Sequence, residues 1–304
     1  MLRDKMLAVM QEVNSEIAER EELIQTIALA LLSGRNLFIL GAPGQAKSFA
    51  VNEFRGRITG AKQFERLLSK QTDEEALFGR LDLASLIPGA VPAQVLADDA
   101  TYQKLKQQLK QATDDFRADP ADTGVASRMQ NLTAALEQYQ KGISLLHGGT
   151  PTTITAGKIP DSHICFLDEI FKAGDGLLNS LLTALNEHRY TNEGVTVDIP
   201  VISFFSASNE MPNFRNKEEQ ILTPLYDRFQ LRVVTRDVQE RSARLAVLKN
   251  KLDGHFGEVT ATFTLEELYA MQAQVKLVAI PDAVNELMDD VLCELRREGI
   301  TVSD

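Results

Sequence analysis

The strongest constraint on the fold is a glycine-rich loop, GAPGQAKS at residues 41–48, that stands between an apolar run and a helix. The run NLFIL at 36–40 is short and almost wholly apolar, which is typical of a buried parallel strand. A helix is predicted to begin at about Lys47. Main-chain N–H groups at a helix start, together with the helix dipole, favour an anion. The segment therefore predicts an α/β fold with a phosphate-binding loop.

The residue types in this loop suit a nucleotide and a metal ion. Gly41 and Gly44 allow a tight turn and a close approach to phosphates. Lys47 can reach the β- and γ-phosphate oxygens, and Ser48 can ligate Mg²⁺. The strict pattern has glycine before the lysine, where this chain has Ala46. A Gly/Pro turn with an exposed lysine is the alternative interpretation.

Two carboxylates follow a second apolar run, ICFLDE at 164–169. Ligands of open α/β sheets bind beyond the carboxyl ends of the strands. Asp168 is predicted to hold Mg²⁺, and Glu169 is predicted to polarise the attacking water. The alternative is a strand followed by an acidic helix cap.

Two further residues extend the pattern. Asn209 ends SASN after the run VISFF and is a candidate to orient the lytic water, although asparagine is also a common turn residue. Arg228, in LYDRF, is a candidate arginine finger for a neighbouring subunit's nucleotide, or half of a surface pair with Asp227. The four elements occur in one order, each beside its expected strand or helix, which favours a nucleotide site over a chance match.

Strands alternating with helices predict a parallel sheet, and the chain reads as wholly helical from about residue 236. Residues 1–33 also read as helical. Two periodic stretches predict an antiparallel helical hairpin at about 99–147, with a turn at 118–124. The apolar residues that recur at spacings of three and four are Tyr102, Leu105, Leu109, Ala112 and Phe116, then Val125, Met129, Leu132, Leu136, Tyr139, Ile143 and Leu146.

Charge and composition disfavour several classes of protein. The net charge of −11 argues against nucleic acid as a partner, because nucleic-acid-binding surfaces are usually basic. No apolar run approaches the length of a membrane helix, and the first residues lack a signal-peptide core, so a cytoplasmic location is expected. The two cysteines form no CxxC pair, and no HExxH motif occurs.

On these motifs the chain resembles the MoxR family of AAA+ ATPases, and most closely its RavA-like branch, over about residues 17–235. The segments that match are LLSGRNLFILGAPGQAKS, TDEEALFGRL, FLDEIFKAGDGLLNSLLTALNEHRYTNEGV, SASNEMP and LYDRFQLRV. RavA-like loops also read GxxGxAKS, which accounts for Ala46.

The resemblance implies a role for each matching residue. Asp168 and Glu169 are the implied Walker B pair, with Ser48 and Asp168 at the Mg²⁺. Asn209 is the implied sensor 1, and Arg228 the finger that acts in trans. Residues of the implied ATP site are Gly41, Ala42, Pro43, Gly44, Gln45, Ala46, Lys47, Ser48 and Phe49, with Ile17 and Ala18 against adenine.

The resemblance also implies a five-stranded parallel sheet in the order 5-1-4-3-2 within residues 1–235, followed by an all-helical lid at 236–304. It implies a homo-oligomeric ring, usually a hexamer, that hydrolyses ATP with Mg²⁺. Many relatives act as chaperone-like remodellers with a von Willebrand factor A-domain partner. A chelatase-type motor, a nucleic-acid motor and an ATP-switched binding module with little turnover are the alternatives.

The chain departs from the family pattern in two places. Lys47 and Asp168 are 121 positions apart, more than in typical relatives, because the hairpin at 99–147 enlarges a smaller insert. We expect the hairpin either to project and contact a partner or to pack on the ring's own surface. The lid of relatives continues past a segment like TVSD (301–304) into a helix that carries sensor 2, so we expect a truncated lid and assign no sensor 2 to Arg296 or Arg297.

Overall fold

A computed structural model describes residues 2–87, 90–120, 122–147, 152–192, 194–253 and 259–299. The strands there are β1 (Leu37–Leu40), β2 (Ile58–Thr59), β3 (Gln63–Leu67), β4 (Arg80–Leu81), β5 (Thr153–Ile154), β6 (Ile164–Asp168), β7 (Arg189–Asn192), β8 (Val195–Asp198), β9 (Ser203–Ser208), β10 (Leu231–Val234) and β11 (Phe263–Thr264). The helices there are α1 (Leu2–Glu16), α2 (Glu21–Ser33), α3 (Lys47–Gly56), α4 (Glu74–Phe78), α5 (Ala93–Asp98), α6 (Ala100–Ala118), α7 (Thr123–His147), α8 (Asp175–Glu187), α9 (Thr223–Asp227), α10 (Arg241–Asp253), α11 (Leu265–Val275) and α12 (Asp282–Arg297).

Five strands form the central sheet in the order β10-β1-β9-β6-β3, and every neighbouring pair is parallel. Numbered along the chain, this order is the expected 5-1-4-3-2. All six residues of β9 are buried, as a central parallel strand requires. The segments that follow β1, β6 and β9 consequently meet at one edge of the sheet.

Helices cover both faces of the sheet. On one face, α1, α2, α3 and α11 share an apolar cluster with β1, including Val9, Ile24 and Phe54. On the other face, α8 packs with the β7–β8 hairpin and α4 around Leu181 and Tyr190. The ring of Tyr190 stacks on Phe78 with centroids 4.4 Å apart. These two layers fix the sheet edge that carries the predicted site.

The helix predicted at 1–33 is broken in two by residues 17–20. Glu19 takes a left-handed conformation, with φ of 53°. Its carboxylate accepts hydrogen bonds from the backbone N–H groups of Gln239 and Glu240, each at 2.8 Å, just ahead of α10. The break therefore holds the start of the C-terminal helical region, a long-range contact that periodicity cannot reveal.

The region after 235 is not wholly helical, because β11 pairs with β2. The following helix α11 packs on α1 and α2 and buries Leu265, Leu268 and Met271. By contrast, α12 buries none of its residues. We propose that the boundary between the α/β core and the lid lies at residue 235. The expected lid end at 301–304 lies outside the described residues.

A buried arginine ties three segments of this body together. The Arg57 guanidinium, 1% exposed, lies 2.7 Å from Glu16 Oε1, 2.8 Å from Glu53 Oε2 and 3.2 Å from Glu12 Oε1. Glu12 also accepts from the Thr260 hydroxyl at 2.5 Å and from the Ala261 N–H at 2.8 Å. Those bonds, the Thr260 hydroxyl first, lower the pKa of Glu12 to about 2. The cluster joins α1 and α3 to the segment ahead of β11.

The predicted hairpin is present as α6 and α7, which pack along each other. Of the apolar residues that recur at spacings of three and four, Tyr102, Ala112 and Ile143 are buried. Leu146, the last residue of the periodic series, lies within α7 but is 79% exposed. Residues near 140 already lie opposite the start of α6, so Leu146 has no α6 residue to pack against. No described helix combines the length and apolar character that a bilayer span requires.

Candidate functional site

The glycine-rich loop leaves the carboxyl end of β1 and turns into α3 beside the end of β9, with the Gly41 N–H donating to Ser208 O at 3.1 Å. Gly41 has no room for a side chain, since a Cβ there would lie 1.9 Å from Thr235 Oγ1. Ala46 takes φ of 58°, in the left-handed region. That conformation costs a non-glycine residue roughly 1–2 kcal/mol, which explains why the strict pattern has glycine there.

Lys47, the first residue of α3, points its ammonium back under the loop. Its Nζ donates to Gly41 O at 2.6 Å, to Ala42 O at 3.0 Å and to Asn209 Oδ1 at 2.8 Å. Burial lowers the pKa of Lys47, while the carboxylates of Asp168 and Glu169 act in the opposite direction. All three ammonium hydrogens therefore have acceptors, and one of them belongs to another strand end.

The carboxylates at the end of β6 are the second component. The Glu169 side chain is buried, with 6% of the residue exposed. Its backbone takes φ of 54°, in the left-handed region. Its Oε1 accepts from Asn209 Nδ2, and its Oε2 lies 3.4 Å from Lys172 Nζ. Asp168 accepts from the Glu169 N–H at 3.0 Å, and burial raises the pKa of Asp168. Asn209 thus bridges Lys47 and Glu169.

The remaining predicted residues surround this bridge. Ser48 lies half-buried on the first turn of α3, and Phe49 packs against the apolar cluster below the sheet. Ala42, Pro43 and Gly44 form the exposed outer turn of the loop. Ile17 is buried and Ala18 half-buried, in the break that also contains Arg20. Because Arg20 Nε donates to Gln45 O at 3.0 Å, this break lies against the loop.

Arg228 lies apart from these groups, at the opposite edge of the sheet. It follows α9, and its carbonyl accepts from Asn36 Nδ2 at 3.1 Å, just before β1 begins. The loop starts where β1 ends, so the four residues of β1 separate the two, about 13 Å at roughly 3.3 Å per residue. Arg228 is therefore not placed to touch a ligand in its own chain's loop.

Three residues near the site were not found from the sequence, and these are Lys172, Thr235 and Asp237. The Lys172 Nζ lies 3.4 Å from Glu169 Oε2, and the two residues are three positions apart in the sequence. Gln45 turns its side chain inward, with Oε1 accepting from Thr235 Oγ1 at 2.7 Å and Nε2 donating to Asp237 at 2.9 Å. The strand order 5-1-4 would have indicated this contact, because the segment after β10 must lie beside the segment after β1.

This combination of sheet order and strand-end residues defines an ATPase fold of the AAA+ class. In agreement, the structure resembles that of a protein from Cytophaga hutchinsonii that has been proposed to be an ATPase, with a TM-score of 0.60 and 13% identity, over 95% of this chain and 68% of that one. A family model described as the MoxR domain in the MoxR-vWA-beta-propeller ternary systems matches residues 4–98 and 140–273. The chain therefore belongs to the MoxR family of AAA+ ATPases.

Two relatives from Methanocaldococcus jannaschii, the uncharacterized proteins MJ0079 and MJ0812, are similar along nearly the whole chain. MJ0079 is 29% identical over 99% of this chain, and MJ0812 is 28% identical over 97%. The chain spans 61% of the length of each of them. A shorter match of 84 residues, 31% identical, links 28% of the chain to 13% of structural protein ORF618 of Acidianus two-tailed virus.

Proposed function

We propose that this chain binds ATP with Mg²⁺ at the loop and hydrolyses it within a homo-oligomeric ring, a hexamer of the RavA-like type. The observation that carries the proposal is the bridge from Lys47 through Asn209 to Glu169. It joins a phosphate-binding cation, a water-orienting amide and a general base at one sheet edge. Such a cluster has the components of phosphoryl transfer to water.

The loop supports the triphosphate part of this proposal. The N–H groups at the start of α3 and the left-handed turns at Gly44 and Ala46 suit an anion. We assign residues 41–49 to the phosphates. Ile17 and Ala18 border the loop at the helix break, and we assign them to the adenine side.

The metal part rests on the donors present. Within the described residues, no group of three or more His, Cys, Asp or Glu side chains could hold a metal ion alone. Mg²⁺ usually takes one or two protein oxygens and completes its shell with water and phosphate, which fits Ser48 and Asp168. Burial raises the pKa of Asp168, and a bound cation would act in the opposite direction by favouring the charged carboxylate. When bound, the ion would neutralise charge on the phosphates.

The same contacts support the proposal of hydrolysis. Lys47 must exchange at least one of its three acceptors for a phosphate oxygen, because its hydrogens are already used. Glu169 accepts a proton from water as the water oxygen bonds to the γ-phosphorus and the bond to the β–γ bridging oxygen breaks. Asn209, already hydrogen-bonded to Glu169, orients that water. The products are ADP and phosphate.

Replacing Lys47 by alanine tests the assignment of the site. We expect Lys47→Ala to weaken ATP binding about a hundredfold or more, since a phosphate-contacting cation contributes several kcal/mol. The measurement is the fluorescence titration of an N-methylanthraniloyl ATP analogue. Lys62→Ala is the matched control, because Lys62 is an exposed lysine whose partner, Asp161, lies away from the loop. Equal affinity in the Lys47 variant and in the control would contradict the assignment.

The position of Arg228 implies that ATP hydrolysis requires assembly of the subunits. An arginine at the far edge of the sheet can act only on another subunit's nucleotide. We expect Arg228→Ala to lower turnover about a thousandfold in the assembled protein with ATP affinity nearly unchanged. Mixing Arg228→Ala with Lys47→Ala subunits should restore activity, because mixed interfaces pair an intact loop with an intact finger. A mixture as inactive as its parts would contradict action in trans.

The biological role that we propose is chaperone-like remodelling of a partner that carries a von Willebrand factor A domain. Its support is the family description, which places such MoxR domains in ternary systems with vWA and β-propeller proteins. The test is co-purification of this chain, in the presence of ATP, with a vWA-domain protein encoded by a neighbouring gene.

A further inference from the structure

Most of the helical hairpin, all but the last eight residues of α7, lies outside the part of the chain that the family model covers. The match ends at residue 98 and resumes at 140. The ends of the unmatched segment touch, since the Tyr139 hydroxyl donates to the Asp99 carboxylate, 3.1 and 3.2 Å from its two oxygens. Asp99 also accepts from the Tyr102 N–H at 2.7 Å and so caps α6. The added segment is therefore closed and fixed at its base.

The hairpin is an arm rather than a layer of the body. Apart from α5, no element in the described part of the chain packs extensively against α6 or α7. Of its apolar side chains, Tyr102, Ala112 and Ile143 are buried, whereas Leu145 and Leu146 are exposed. The longer helix, α7, has 25 residues and is about 37 Å long at roughly 1.5 Å per residue. Most of the outer surface of both helices is left to solvent or to another molecule.

One outer face of α6 is positively charged. Across α6, four basic residues stand against two acidic ones, Asp114 and Asp115, in a chain whose net charge is −11. Lys106, Lys110 and Arg117 share one side of the helix at 100° per residue and are exposed. Among the described residues, no carboxylate pairs with Lys106 or Lys110, and Arg117 has only Asp114 at 3.6 Å. An open groove of about 900 Å³ follows this face.

We propose that this face of α6 is a docking site for an acidic protein surface. The three cations lie along about 17 Å of helix, a length that a few carboxylates on a partner's helix or loop can match. A duplex with one charge per ~1.7 Å would meet too few cations on a chain that is otherwise acidic. The aromatic residues of α6, Tyr102 and Phe116, lie on its inner face, so none is offered for base stacking.

The test uses the intact chain and fluorescently labelled poly-L-glutamate as the acidic probe, followed by anisotropy. We expect saturable binding that weakens as salt rises. The double variant Lys106→Gln/Lys110→Gln should raise Kd about tenfold, as for the loss of two rim charges. The double variant Arg128→Gln/Lys141→Gln removes the same charge from exposed positions on α7 and should leave Kd within about twofold.

Three results would overturn the proposal. One is no binding of poly-L-glutamate at low salt, and another is an equal rise in Kd for both double variants. The third is a duplex DNA of equal charge bound more tightly than poly-L-glutamate, which would make the face a nucleic-acid site. Circular dichroism should show unchanged helix content in both variants. Their ATP turnover should match that of the parent chain, because none of the four residues contacts the loop.

Discussion

Glu169→Gln is expected to lower ATP turnover by about a hundredfold to a thousandfold while ATP affinity stays within about twofold. Glutamine keeps the carbonyl oxygen that accepts from Asn209 Nδ2, and it fits the same buried bend. What it loses is the ability to accept a proton from water and the charge that faces Lys172. The expected loss is therefore one of chemistry and not of binding.

Phosphate release under saturating ATP and titration of the fluorescent ATP analogue separate these two quantities. Glu187→Gln, at the exposed end of α8, is the control with the same change of charge and size. Turnover at the parent rate in Glu169→Gln would show that another group activates the water. A loss of affinity equal to the loss of turnover would show that Glu169 supports the loop instead.

Arg57→Met is expected to lower the free energy of unfolding by about 3–5 kcal/mol, as when one partner of a buried ion cluster is removed. Methionine fills much of the volume, but Glu12, Glu16 and Glu53 would then face one another without a cation. Burial already raises the pKa of Glu16. Of the three carboxylates, we therefore expect Glu16 to be destabilised most when the Arg57 charge is removed.

Urea unfolding measured at neutral pH gives the free energy directly. Arg66→Met, an exposed arginine on β3, is the control and should change stability by less than about 0.5 kcal/mol. Adding Glu16→Gln to Arg57→Met should recover part of the loss, because one of the unpaired charges is removed. A loss no larger than that of the control would show that the cluster contributes little.

Much of the fold was predictable because its signals are local. The loop after NLFIL, the acidic pair after ICFL and Asn209 after VISFF each end a buried strand, and parallel strands bring such ends together. The first helix of the hairpin was predictable from the spacing of Tyr102 and Leu105, and the second from that of Leu132, Leu136 and Tyr139. The sheet order followed from the resemblance and agrees with the structure.

The features that were missed depend on contacts distant in the sequence. The break at 17–20 is stabilised by residues 239 and 240, and β11 is a strand only because β2 lies beside it. Gln45 lies in the glycine-rich loop and was predicted to contact the nucleotide. Its side chain instead turns inward and forms hydrogen bonds with Thr235 and Asp237. Left-handed φ at Glu169 is likewise set by packing, since glutamate has no preference for it.

The four residues between the first two helices contact both the glycine-rich loop and the segment ahead of α10. Arg20 holds the glycine-rich loop through Gln45 O and holds the segment after β10 through Arg236 O at 2.8 Å, while Glu19 grips the first N–H groups ahead of α10. Because these bonds connect the glycine-rich loop to the segment ahead of α10, we expect a displacement of the loop to be transmitted to α10.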